Sequence, residues 1–149
     1  MVTGAGSGIG RAASLLFASE GGKVIVADKT SGAHDTAKTI TDAGGTAIGV
    51  MMDAGLEEDV IQMVALAVEH FGGLDIMFAN AGISGGMANI FDTDVALITE
   101  VLRVNLIGPY LAIKHAAPTI AERGGGAIVL TASVAGIRSG AGSPAYSAS

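Results

Sequence analysis

The stretch TGAGSGIG, Thr3 to Gly10, sets four glycines at alternate positions. Glycines so spaced let a backbone turn sharply and come close to a phosphate. A helix starting within such a loop adds free N–H groups and positive potential. The spacing is G-x-x-x-G-x-G, and no Lys-Ser/Thr pair follows, so this is not a Walker loop. The plain alternative is a glycine-rich turn that holds nothing. Asp28 narrows the choice. It closes the next apolar run, about 20 residues on, where an acid can accept hydrogen bonds from a ribose 2′-hydroxyl. An acid there repels a 2′-phosphate, so NAD is favoured over NADP, with Lys29 next to it working slightly the other way. The plain alternative for Asp28 is a solvated strand end.

Elements must bring these residues together. Met1–Thr3 is a short apolar stub before the loop. Ile9–Glu20 reads as a helix, with Ile9, Ala12, Ala13, Leu16 and Phe17 on one stripe. Lys23–Asp28 is a buried strand, Thr30–Ala43 a weaker helix, and Thr46–Met52 a third strand leading to Asp53. Glu57–Phe71 is the clearest helix. Val60, Met63, Val64, Ala67, Val68 and Phe71 form its stripe, and three acids suit its positive end. Leu74–Ala79 is a fourth strand that runs into Asn80-Ala81-Gly82. Asp92–Arg123 is helical, with interruptions at Gly108-Pro109 and Pro118. Ala127–Ser133 is a fifth strand. Strict alternation of this kind predicts βαβ units: a doubly wound parallel sheet with helices on both faces, in the α/β class.

Composition excludes several alternatives. The 149 residues allow one domain, and half of them are hydrophobic, which excludes global disorder. A formal net charge of −6 argues against a nucleic-acid surface. There is no cysteine, so disulfides and thiolate metal sites are impossible. No run of about 18 uniformly apolar residues appears, so neither a membrane span nor a membrane partner is expected. The N-terminus has no signal-peptide pattern, and a cytoplasmic location is expected. His34, His70 and His115 have no ligand-spaced partners, so no metal site is expected. Glu57, Glu58 and Asp59 read as a solvated first turn. Arg103 and Arg123 show no phosphate partner.

The order TGAGSGIG, Asp28, Asp53, Asn80-Ala81-Gly82, Asn105, Ser133 and Tyr146 resembles the short-chain dehydrogenase/reductase family over essentially the whole chain. The resemblance implies a Rossmann-like fold with strand order 3-2-1-4-5-6-7, of which this chain holds strands 1 to 5. It implies that residues 1–149 are one NAD(P)-binding domain, cut at both ends. It places Thr3, Gly4, Ser7, Gly8, Ile9 and Gly10 around the cofactor pyrophosphate. Asp28 would hold the adenosine ribose and Asp53 would lie beside the adenine. Asn80, Ala81 and Gly82 stand for the family's NNAG motif, with Ala79 in place of the first Asn. The implied catalytic set is Tyr146 as general acid/base, Ser133 orienting the substrate oxygen, and Asn105 supporting a water relay. The family's lysine, four residues after the tyrosine, would follow Ser149 and is not in the sequence. A phenol needs such a cation to act as a base near neutral pH.

The implied activity is hydride transfer between NAD and a secondary alcohol or ketone by the full-length parent. The 149-residue chain alone is expected to be inactive, with Tyr146 in a frayed tail. The fifth strand would form an open apolar edge. The parent is expected to be a homo-oligomer, a dimer or homotetramer, paired partly through the Asn105–Glu122 helix. A second reading is a non-catalytic dinucleotide-binding module or inactive fragment. The Asn105-Ser133-Tyr146 set argues against it, and the missing lysine argues for it. The segments Ile83–Ile90 and Val134–Ala145 would face the substrate. They carry no charged clamp except Arg138, which favours a neutral, fairly apolar compound.

Overall fold

β-Branched runs and amphipathic stretches resolve into the expected alternation. The structure, a computed structural model, describes residues 1–138 and 140–149. In chain order the elements are β1 (Val2–Thr3), α1 (Gly8–Ser19), β2 (Lys23–Asp28), α2 (Gly32–Asp42), β3 (Thr46–Met51), α3 (Glu57–Phe71) and β4 (Ile76–Ala79). There follow α4 (Val95–Leu102), a π turn (Arg103–Ile107), α5 (Gly108–Glu122), β5 (Ala127–Leu130), a 3-10 turn (Val134–Gly136) and α6 (Pro144–Ser147). All strand pairs are parallel, in the order β3-β2-β1-β4-β5. This is the Rossmann-like α/β arrangement. The chain reverses its direction of travel across the sheet between β1 and β4. In open sheets of this kind, the crevice beyond the strand ends at that point is where ligands bind.

β2 shows why the sheet is covered on both sides. Val24 and Val26 face a core formed with Ala33, Ala37 and Ile40 of α2. Ile25 and Ala27 face the opposite core, formed with Val60, Met63 and Ala67 of α3 and Leu111, Ala112 and Ala116 of α5. A strand buried on both faces has no polar side to show, which is why KVIVAD reads as a continuous apolar run.

Several expectations need correcting. The α1 stripe holds only in part: Phe17 packs against Phe78, but Ile9 and Leu16 are exposed, at 67% and 58%, and the fully buried positions are Gly10 and Ser14. Helix α1 meets the sheet at close range through small residues, and Ser14 Oγ donates to the Gly10 carbonyl at 2.8 Å. A hydrophobic stripe cannot report such a face. Pro118 does not interrupt α5, which runs through it. Ala116 and Ile120 are buried on either side, and their packing offsets the lost backbone bond. The helical break falls instead on the π turn at Arg103–Ile107. With that turn, Val95–Glu122 becomes one 28-residue helical stretch that is long and apolar enough to cross a membrane by length and composition. Uniformity was thus too strict a criterion. Its α5 part packs on β4, β5 and α3, while 28% of the apolar stretch is buried and Val95, Leu106, Ile107 and Ile113 stay exposed.

The segment carrying Tyr146 is also not frayed. Ser143 caps α6: its Oγ accepts from Tyr146 N–H at 3.3 Å and donates to the Ser84 carbonyl at 3.2 Å. Pro144 opens the turn, where its missing N–H costs nothing. Ala145 is buried, and α6 packs on α4.

Candidate active site

The glycine loop is built by close approach. Gly4 has φ +62°, and a Cβ there would come within 2.9 Å of Ala81 Cα. A Cβ at Gly10 would collide with the Gly4 carbonyl. The loop therefore lies flat against the Asn80–Ala81 turn, and α1 starts directly behind it. Ser7, Gly8 and Ile9 are exposed at the helix start, with their backbone open to solvent. Asp28 fixes the far side of the loop. One carboxylate oxygen accepts from Gly6 N–H at 2.9 Å. The other accepts from Thr30 N–H at 2.9 Å and Thr30 Oγ1 at 2.7 Å.

Thr3 ties β1 to β4. Its buried hydroxyl oxygen accepts from the N–H groups of Asn80 and Ala81 at 3.0 and 3.1 Å. Asn80 Nδ2 donates to the Thr3 carbonyl at 3.2 Å, and its Oδ1 accepts from Thr131 Oγ1 at 3.0 Å. Asn80 thus holds three strand ends in register, and Gly82 leads on toward Asn105.

Asn105 sits in the π turn, a distortion that recurs at functional sites. Its Oδ1 accepts from Ile83 N–H and its Nδ2 donates to the Ile83 carbonyl, both at 2.9 Å. Nδ2 also donates to Ser149 Oγ at 2.9 Å, and that hydroxyl donates to the Tyr146 carbonyl at 2.9 Å. A hydrogen-bonded chain therefore runs from the π turn to the backbone of Tyr146. Ser133 caps the 3-10 turn, accepting from Ala135 N–H at 3.2 Å. That turn packs on α6. The Tyr146 ring lies against Gly142, where a Cβ would come within 2.8 Å of Cδ1.

Between β1, β2 and β4 the strand ends enclose a cavity of about 290 Å³, lined by Gly4, Asp28, Met52, Asp53, Ala54, Ile83 and Val104 among others. Its walls are largely apolar, and its polar side chains are the carboxylates of Asp28, Asp53 and Glu100, the Lys29 ammonium, and the hydroxyls of Thr3 and Thr30. Asp53 closes one end. Its Oδ1 accepts from Arg103 Nη1 at 3.0 Å and Gly55 N–H at 2.9 Å. Its Oδ2 accepts from Arg103 Nη2 at 2.8 Å and pairs with Lys29 Nζ at 3.0 Å. The Arg103 guanidinium, more than any other group, holds the Asp53 carboxyl well below the usual carboxylate range. Its two carboxylate partners, Glu100 first, in turn keep Arg103 firmly charged.

This geometry has counterparts among known proteins. The family model described as short chain dehydrogenase matches residues 1–149. The chain belongs to the short-chain dehydrogenase family. Over 148 residues it is 40% identical to cis-4-hydroxycyclohexanecarboxylate dehydrogenase of Sinomonas cyclohexanicum, covering 99% of this chain and 59% of the relative. Among solved structures, a 3-ketoacyl-ACP reductase from Sinorhizobium meliloti 1021 superposes with a TM-score of 0.94 at 41% identity. That match covers 99% of this chain and 59% of the reductase. An NAD+-bound xylitol dehydrogenase superposes with a TM-score of 0.92 at 32% identity, covering 99% of this chain and 57% of that structure. The chain thus spans little more than half the length of these short-chain dehydrogenases.

Several residues of this short-chain dehydrogenase were not read correctly from sequence. Arg103, read only as lacking a phosphate partner, is held by two carboxylates, Glu100 and Asp53, which that reading did not anticipate. The Glu100-to-Arg103 spacing of i, i+3 was the available signal, and the Nε and Nη2 bonds to Glu100 measure 2.7 and 2.8 Å. Glu57 is not merely solvated. One of its oxygens accepts from Lys114 Nζ at 2.6 Å and lies 2.8 Å from His115 Nε2, linking α3 to α5. Asp59 accepts from Asp53 N–H at 2.7 Å, and so sets the backbone that presents Asp53. These last contacts cross elements, and no local pattern announces them. Among the described residues, no group of three His, Asp or Glu side chains gathers as a metal site.

Proposed function

We propose that the whole protein is an NAD-dependent oxidoreductase of small secondary alcohols or ketones, cytoplasmic and homo-oligomeric, of which residues 1–149 carry the dinucleotide-binding half. The observation that supports this best is the junction of two constructions at one crevice. A glycine loop anchored to Asp28 faces a cavity with apolar walls, and beside it the Asn105–Ser149–Tyr146 chain joins the π turn to α6.

The donor set fits a dinucleotide. The loop, with Thr3, Gly4, Ser7, Gly8, Ile9 and Gly10, offers backbone N–H groups and the start of α1 to a pyrophosphate. Asp28 suits a ribose diol. Lys29 is turned to Asp53, leaving Asp28 without a neutralising cation, so a 2′-phosphate is disfavoured. Asp53 and the apolar walls suit an amino-bearing purine. A dinucleotide held there would supply hydride donor or acceptor chemistry at its nicotinamide ring. The Tyr146 hydroxyl exchanges the proton on the substrate oxygen, and the Ser133 hydroxyl orients that oxygen. Asn105 fixes the Ile83 backbone on one side and the Tyr146 backbone on the other. The relative acting on a hydroxycyclohexane carboxylate directs the choice of substrate to cyclic secondary alcohols.

The test is NADH formation by the purified full-length protein with a series of cyclic secondary alcohols, using NAD and NADP in parallel. Turnover with NAD, lost by about 10²–10⁴-fold in Tyr146→Phe, is the expected result. Dinucleotide binding without turnover on any alcohol or ketone would mean a binding module instead.

A further inference from the structure

Asp53 has no acceptor position to spare. A carboxylate offers about four lone-pair sites. Gly55 N–H, two Arg103 nitrogens and Lys29 Nζ occupy them at 2.8–3.0 Å. Any N–H donor entering the cavity must displace one of these. The Gly55 N–H is backbone. Arg103 is braced by two bonds to Glu100, and its side chain is 24% exposed. Lys29 has a flexible stem, and its side chain is 67% exposed. Its Nζ is also only 3.8 Å from Glu100 Oε1, so a second carboxylate stands ready to receive it.

We propose that Lys29 is a displaceable occupant of Asp53 that sets which base the cavity accepts, while Arg103 is the fixed clamp that keeps the carboxylate aimed. This rests on the dinucleotide reading above. When the base carries an amino group, that group takes the place of Lys29 Nζ on Asp53, and Lys29 moves across to Glu100. When the base carries a carbonyl at the same ring position, as hypoxanthine does, its nearest donor is the neighbouring ring N–H, and the exocyclic donor that would take the place of Lys29 is lost. Lys29 then stays on Asp53 and donates to the carbonyl. One lysine therefore costs the amino base some affinity and supports the carbonyl base.

The test is equilibrium binding of NADH and of reduced nicotinamide hypoxanthine dinucleotide to the purified full chain and to Lys29→Met. The lysine is a surface side chain, so folding is not at risk. An exposed ion pair is a weak competitor, and the variant should bind NADH about two- to fivefold more tightly. It should bind the hypoxanthine dinucleotide no more tightly, or more weakly, so the preference for adenine widens. Because exposed pairs are screened, the gain for NADH should shrink at high salt. Equal shifts for both dinucleotides, or none for either, would overturn the role of Lys29 while leaving the cofactor reading standing. Failure of the unsubstituted protein to bind either dinucleotide would overturn the cofactor reading, and this inference with it.

Discussion

Asp53 is the residue whose setting differs most from a plain reading of its position. It stands just after a strand, where a solvated acid would be unremarkable, yet its side chain is only 12% exposed and grips a guanidinium. A carboxyl held below its unfolded value, about 3.9, adds stability that is complete above that value and is lost as pH falls toward the folded one. Glu100 and Glu57 are lowered by neighbouring cations in the same direction. Unfolding by urea, repeated at several pH values, should therefore show stability falling below about pH 4. Arg103→Met should flatten that slope and cost about 1–3 kcal/mol at neutral pH by stranding the Asp53 charge. A slope unchanged in the variant would separate Asp53 from acid sensitivity. Asn105→Ala makes a different prediction. It removes three side-chain bonds, two to Ile83 and one to Ser149, and leaves the Ile83 N–H and carbonyl to find water. A loss of about 1–3 kcal/mol in stability is expected, with a larger fall in kcat than in cofactor affinity. Equal losses in both would make Asn105 a purely architectural residue. At this scale the sequence was most legible where a motif fixes backbone. The loop, Asp28 and the Asn80 turn all meet. It was least legible for Arg103 and Glu57, because their partners lie 50 and 57 positions away in the chain.

Elements read from periodicity hold where one apolar face meets one layer. β2 and α3 have the bounds that the pattern indicates; Val24–Ala27 and the Val60, Met63, Val64 and Ala67 part of the α3 stripe are buried as read, whereas Val68, read on the same stripe, is 47% exposed and Phe71 half-buried. α1 passes only in part: Phe17 packs on the sheet with Leu15 and Ala18, but the fully buried positions are Gly10 and Ser14, where close approach rather than hydrophobicity makes the face. Gly10→Ala should accordingly be among the most damaging small changes in the chain. Its Cβ would press on the Gly4 carbonyl and the Asn80 side chain, both of which belong to the loop. The expected outcome is loss of dinucleotide binding, with a Tm several degrees lower. Retained binding at an unchanged Tm would show that the loop can move away. The π turn escaped periodicity for a related reason. One extra residue per turn shifts the stripe without breaking it, and α4 and α5 both remain amphipathic on either side. Pro118 misled in the opposite sense, since a local breaker was overruled by the buried Ala116 and Ile120.

Across the whole molecule, alternation indicated the parallel sheet and the family resemblance its strand order, and β3-β2-β1-β4-β5 leaves β5 with one partner among the described residues. That edge carries Val129 and Leu130, 49% and 44% exposed, and α5 presents Tyr110 and Ile113 nearby in sequence, 60% and 42% exposed. A parallel edge with unpaired N–H and C=O groups and apolar side chains is a template for another strand. The rest of the chain supplies the opposite tendency. Two cores sandwich β2, and salt links join α3 to α5 and Asp53 to the π turn, so residues 1–149 have internal reasons to fold. The 149-residue polypeptide is therefore expected to fold but to associate through β5. Val129→Lys separates the two behaviours. The side chain is half exposed on an edge, so the substitution should change unfolding free energy by no more than about 0.5–1 kcal/mol. The same charge on the edge opposes strand addition. Light scattering at equal concentration should then show markedly slower aggregation for the variant, at a nearly unchanged Tm. If aggregation instead follows loss of near-UV signal in both proteins, association proceeds from unfolded chains, and the edge strand is not its origin.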